Sequence, residues 1–276
     1  MMKSLLCCIF FCLIAVTGSA QDRLSKCTSE LSFSEKNTRS LSVSLAGIGV
    51  ITIWGALQWD YFSQSPHAGS EGWFANTTKE GGADKLGHLY SSYVISHALS
   101  SLYKHWCFEK DNAALYGSLS SFAIMGYMEF GDSFSEYGFS YEDMIANFLG
   151  CATGYLLYKY PDLADKFSLR WEYGFKPNGT DFLTDYDNSK YLLAVKLNGF
   201  ESVNKTFLKH FELHMGYYAR GFSDDKDKKE RNFYLGIGLN LTDLFRRYSW
   251  KKTAVVLDYI QIPGTYLQYK HDFNEN

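Results

Sequence analysis

The hydropathy pattern changes period once, at Pro161. Ahead of that residue apolar side chains recur with the 3.6-residue spacing of helices; beyond it they alternate with the two-residue period of strands. A chain divided in this way builds helices first and strands second, so the expected class is α+β rather than a series of βα units. Four segments follow: 1–20 a signal peptide, 21–40 a polar lead-in, 41–162 a helical bundle and 163–276 an antiparallel β region.

Within the bundle, Leu41 to Trp59 runs without a charge and is long enough to cross a bilayer. Its glycines, Gly47, Gly49 and Gly55, suit close helix packing. Ser63 to Gly82, with Pro66 and four glycines, reads as a loop. Asp84 opens a second helix, which ends before a turn at Glu109-Lys110-Asp111-Asn112, where Asp111 or Asn112 is the expected cap. A third helix covers about 113–130. Ser140 caps a fourth, from Tyr141 to about Tyr160, and the Ser140/Asp143 spacing matches a capping box.

The β region offers six candidate strands: 167–175, 191–200, 207–221, 232–241, 254–260 and 265–273. In the fourth, Phe233, Leu235, Ile237, Leu239 and Leu241 share one face, with Tyr234, Gly236, Gly238 and Asn240 opposite. Apolar on one side and small or polar on the other is the alternation of a membrane barrel strand, and equally of a sheet packed on helices. Six strands fall short of the eight in the smallest common membrane barrel, so the sheet is expected to be at most partly barrel-like. The charge run from Ser223 to Arg231 is a solvated hairpin loop.

Lys3, the apolar stretch Leu5 to Val16 and the small residues Gly18-Ser19-Ala20 compose an export signal. Of the six cysteines, Cys7, Cys8 and Cys12 lie inside it. Cys27, Cys107 and Cys151 remain, an odd number without CxxC spacing, and are expected to be unpaired. A net charge of -3 excludes a basic nucleic-acid-binding domain. No nucleic acid or nucleotide partner is expected. The 21 Tyr and 21 Phe suit lipid-facing or interfacial surfaces as well as cores.

Polar groups on otherwise apolar helices are the candidate site. Asp84 and His88 are four apart on one helix face with Lys85 beside them. Glu129 and Asp132, three apart, lie at the end of the third helix and just beyond it, and Asp143 and Asn147 occupy the first two turns of the fourth. Buried ionised groups need partners, so these residues are expected to converge at one end of the bundle. Three roles suit such a ring. Asp84, His88, Glu129 and Asp143 can ligate a divalent metal. His88, Glu129 and Asp143 can do acid–base catalysis, or the whole set can be a structural network in which Lys85 neutralises an acid. No HxxxH or HExxH element anchors a metal, and no cofactor is required by the pattern. His97 is expected to be packed or helix-bonded, and His67 and Glu71 to be exposed loop residues.

The stretch A-D-K-L-G-H at 83–88, then G-Y-M-E-F-G-D at 126–132, then the S-x-x-D-x-x-x-N-x-x-G run from Ser140 to Gly150 resemble, in that order, a bacterial family of predicted periplasmic (lipo)proteins, DUF2279. More faintly, the helical part resembles VanZ-like membrane proteins. The resemblance implies an envelope location, in the periplasm or at the outer membrane, and marks Asp84, Lys85, His88, Glu129, Asp132, Asp143 and Asn147 as motif positions. It implies no activity. The chain departs from the family pattern in having Phe130 and Gly131 within the acidic pair and in lacking a well-placed lipidation cysteine. The expected molecule is an exported, non-catalytic, outer-membrane-associated component that binds membrane lipid or an envelope protein. The alternative is a membrane-associated hydrolase of a lipid or cell-wall intermediate.

Overall fold

The computed structural model describes residue 27 and residues 31–174, 184–222 and 228–274. The segment expected to be a signal peptide, and most of the expected polar lead-in ahead of Leu31, lie outside the described residues. The chain divides into a helical unit, up to residue 72 together with 91–159, and a sheet unit, 73–90 together with the chain from Tyr160 onward.

The helices are α1 (Phe33–Gln58), α2 (Ala83–His105), α3 (Lys110–Asp132) and α4 (Tyr141–Lys159). The first two turns of α2 belong to the sheet unit and the rest to the helical unit. α1 reaches back into the segment expected to be a lead-in, because Ser32 and Glu35 form a capping box: the serine hydroxyl accepts from Glu35 N at 3.3 Å and the glutamate accepts from Ser32 N at 2.9 Å. α3 starts at Lys110 rather than after an Asp111 or Asn112 cap, and the residue ahead of it, Glu109, caps with no side-chain bond. α4 starts where expected, with Ser140 Oγ accepting from Asp143 N at 3.2 Å.

The helical unit has a compact apolar core of Leu99, Tyr103, Phe108, Ala113 and Ile124. Elsewhere its helices meet through small residues. A side chain at Gly117 would strike the backbone of Ser100, and one at Gly154 would strike Ser96. Hydroxyls bridge these close approaches: Ser96 to Ser118 at 2.7 Å, Tyr103 to Ser120 at 2.8 Å, and Ser121 to the Ser92 carbonyl at 2.9 Å. The expectation that Cys27, Cys107 and Cys151 are all unpaired is overturned. Cys27 and Cys107 form a disulfide, and Cys151 alone is free and buried. Cysteine parity forbids a fully paired set of three but allows one pair.

In the sheet unit, after the short α5 (Pro161–Ala164), five strands form an antiparallel meander in the order β1 (Phe167–Tyr173), β2 (Ser189–Lys196), β3 (Phe211–Arg220), β4 (Glu230–Leu239) and β5 (Tyr266–Asp272). Between β4 and β5 lie α6 (Leu241–Arg247) and α7 (Lys251–Leu257). The sheet is not closed into a barrel. The strand expected over 254–260 is largely helix α7: Ala254 and Leu257, three apart, are its buried residues, a helical spacing hidden by the β-branched pair Val255-Val256. β4 ends two residues early because the Asn240 side chain accepts from Asp243 N at 3.0 Å and caps α6, which removes Leu241 from the strand face. The charge run does join β3 to β4, and its residues 223–227 lie outside the described set.

The polarity of this sheet is inverted. Its covered face carries Ser168, Arg170, Glu172, Glu212, His214 and Asn232, all buried. Arg170 donates to both Glu212 oxygens, at 2.5 and 2.9 Å, and to Gln261 at 2.9 Å; His214 Nε2 lies 2.8 Å from Glu212. Gly216 makes room for the Tyr234 ring and Gly238 for His214. The opposite face presents Leu213, Met215, Leu235, Ile237, Leu267 and Tyr269, which are 43% to 84% exposed. Register aligns them into rows across the strands: Leu193, Met215, Leu235 and Tyr269 in one, Val195, Leu213, Ile237 and Leu267 in the next.

Candidate functional site: a buried carboxylate cluster

In the helical unit, the end of α3 and the start of α4 bring three of the expected residues together. Asn147 Nδ2 donates to Glu129 Oε1 at 3.5 Å, and the Asn147 carbonyl accepts from Ser92 Oγ of α2 at 2.8 Å. Glu129 and Asp143 each offer a carboxylate oxygen within 4.8 Å of the other. Glu129, Asp143 and Asn147 are almost wholly buried. Two carboxylates placed so close in a buried setting favour a proton, a cation or a cationic side chain beside them.

Asp132 lies one turn beyond Glu129 and is half-buried. Its influence falls on Tyr61: burial first, and then the Asp132 carboxylate, push the Tyr61 phenol far above its ordinary range. The Tyr61 hydroxyl donates to the Met128 carbonyl at 3.0 Å. His97 is packed as expected, its Nε2 3.0 Å from the Gly154 carbonyl, and His67 is exposed.

Two acidic residues gain importance that the spacing did not give them. Glu142 is fully buried, accepting from the Ser70 hydroxyl at 2.8 Å, from Gly72 N at 3.1 Å and from Ser140 at 3.2 Å. Burial alone would raise its carboxyl; its own backbone amide, Ser70 and Gly72 outweigh that and hold it below the ordinary value. It fastens the loop after α1 to the start of α4. Glu71, on that loop, is half-buried rather than exposed, with an oxygen within 4.8 Å of one from Asp143. The signal for both was available, since Glu142 adjoins the capping motif and Glu71 lies in a glycine-rich loop. Glu142 falls at no helical spacing from another acid of α4, and Glu71 lies on no helix.

In the sheet unit, Asp84, Lys85 and His88 occupy the first two turns of α2. Lys85 Nζ sits 2.6 Å from Asp84 Oδ2, and both residues are buried. The two thus form a buried ion pair. A β-carbon at Gly87 would lie 2.8 Å from the Tyr186 ring and 3.0 Å from the Tyr191 hydroxyl, so this turn admits no side chain there. Tyr217 donates to the Gly81 carbonyl at 2.5 Å, and burial, with the Asp84 and Asp272 charges opposed by Arg231, pushes its phenol up to about 12. His88 is half-buried. Because α2 is one unbroken helix, His88 stands one turn from Ser92 on the same face.

No curated protein and no solved structure matches the chain. The Cys27–Cys107 disulfide belongs to an oxidising compartment, which agrees with export. Residues 70–159, about a third of the chain and the stretch that holds Glu71, Asp84, His88, Glu129, Asp143 and Asn147, match the family model described as predicted periplasmic lipoprotein (DUF2279), which puts the protein outside the cytoplasm, in the periplasm or at the outer membrane.

Proposed function

We propose that the protein is a non-catalytic, outer-membrane-associated envelope component that binds lipid through the apolar face of its sheet. One observation carries this reading: the sheet keeps its ion pairs on the covered side and turns Leu213, Leu235, Ile237 and Leu267 outward. Water selects the opposite arrangement, and a contiguous exposed apolar patch marks an interaction surface. An open five-stranded sheet has backbone groups at its edges that hydrocarbon cannot satisfy, so the sheet lies against lipid rather than through it. A fluorophore at Leu267→Cys tests this in vesicles of brominated phospholipid. Quenching well above that at Glu201→Cys, an exposed polar position, is expected; equal quenching refutes lipid contact, and shielding without lipid points to an envelope protein instead.

A second reading rests on the proximity of Glu129 and Asp143. In it the protein is a membrane-associated hydrolase of a lipid or cell-wall intermediate. Glu129 and Asp143, both in the helical unit, would hold a divalent metal, while Asp84 stays with Lys85. A metal held there would acidify a water, and Glu129 or Asp143 would be the group placed to accept its proton. Metal analysis of the purified protein, of Glu129→Gln and of Asp143→Asn decides it. About one equivalent in the parent, lost in both variants, supports the reading; a metal-free parent that gains no thermal stability from added zinc or manganese rejects it.

A further inference from the structure

The helical unit shows an inversion of its own, carried by residues that the sheet argument does not use. In a water-soluble bundle the apolar stripes of the helices point inward and the hydroxyls outward. Here Ser96, Ser118, Ser120 and Ser121 are buried and bonded between helices, while Leu45 and Ile53 on α1, Leu119 on α3, and Phe148 and Leu156 on α4 are 43% to 65% exposed. Glycine and serine at helix contacts, with hydroxyls bridging them, are how helices associate when hydrocarbon surrounds them. α1 is long and apolar enough to cross a membrane, and only 11% of its most apolar window is buried, so it is no core helix.

The charges fall at the two ends. α1 is uncharged from 40 to 58, α3 from 112 to 128 and α4 from 144 to 158. At 1.5 Å per residue these stretches span about 22 to 29 Å, close to the ~30 Å hydrocarbon thickness of a bilayer. One end gathers basic groups, with Arg39 donating to the Trp106 carbonyl at 2.8 Å and Lys159 lying 3.4 Å from Asp111. The other end holds Glu129, Asp132, Glu142 and Asp143.

We infer that the helical unit is embedded in a bilayer, with α1, α3 and α4 facing the acyl chains and their charged ends in the headgroup layers. This goes beyond lipid contact by the sheet and stands on different residues. The test uses the full chain, reconstituted into phosphatidylethanolamine–phosphatidylglycerol vesicles, with one spin label at Leu45→Cys, Leu119→Cys or Phe148→Cys. Buried Cys151 stays unlabelled, and circular dichroism with a mass check of the Cys27–Cys107 disulfide confirms that each variant is folded. Collisions with oxygen are expected to exceed those with an aqueous nickel chelate at all three sites, and the order to reverse at Glu136→Cys, an exposed position near the acidic end. Nickel collisions that dominate at all three sites overturn the inference, as does a folded protein that remains off the vesicles. A quenched Leu267 label together with nickel-exposed helices defeats this inference alone; the opposite pair of results defeats the sheet reading alone.

Discussion

Replacing Arg170 by methionine tests whether the covered face of the sheet is a closed ionic network. Arg170 and Glu212 are at most 2% exposed, and the guanidinium meets both carboxylate oxygens. Arg170→Met keeps the side chain's length and leaves the Glu212 charge buried, with His214 Nε2 still 2.8 Å away. Breaking a buried pair from one side costs about 3–5 kcal/mol. Removing both partners, as in Arg170→Met/Glu212→Leu, costs about 1 kcal/mol or less, because the orphaned charge leaves with its partner. Hydrogen exchange across β3 reads the difference directly: about two to four decades of lost protection in the single variant, most of it regained in the double.

The same residue sets a pH dependence. Burial pushes the Glu212 carboxyl up, but His214 and Arg170 outweigh it and leave the value below that of an ordinary glutamate. A depressed folded value contributes stability that is complete above the unfolded value of about 4.3 and is lost as pH falls through the folded one. Protection in β3 therefore drains away below about pH 4 in the parent, and less steeply once Glu212 is removed. A single variant that loses under about 1 kcal/mol, or a double variant no better than the single, refutes the network.

Other perturbations separate the remaining features. Cys27→Ser, or reduction of the parent, opens a loop of 80 residues and should cost the helical unit about 2–4 kcal/mol, seen as a lower melting temperature for the helical signal. Glu142→Ala strands the Ser70 hydroxyl and the Gly72 amide and should cost about 2 kcal/mol locally. Faster proteolysis between residues 60 and 72, with α3 and α4 still protected, is the expected pattern. Gly117→Ala should be among the least tolerated single changes in the helices, since the added methyl meets the backbone of Ser100 rather than a movable side-chain tip. Its unfolding temperature is the readout.

The order of helices before strands, the four main helices and the antiparallel character of the sheet were legible because they rest on long periodic segments. What escaped notice has local causes. Helix α7 passed for a strand because Val255 and Val256 outweighed the Ala254/Leu257 spacing, and α1 began early because the Ser32/Glu35 box lies in a polar, serine-rich stretch. At the candidate site, the nearness of Glu129, Asp143 and Asn147 followed from the short connection between α3 and α4. Glu71 and the disulfide depend on loop paths and on chain ends that meet far apart in sequence, which periodicity does not encode. The apolar face of β4 was visible as alternation. That it faces outward, with charge inside, needed Arg170 and Glu212 placed across three strands.

Tyr61 occupies a slot whose two walls are glycine: a methyl group at Gly55 in α1 or at Gly131 in α3 would coincide with its ring. Its hydroxyl is bonded to the carbonyl of Met128, the residue before Glu129. The ring thus works as a pin between a helix built for lipid and the carboxylate at the foot of its neighbour. Any shift of α1 against α3 would therefore have to displace this ring and its bond to the Met128 carbonyl together.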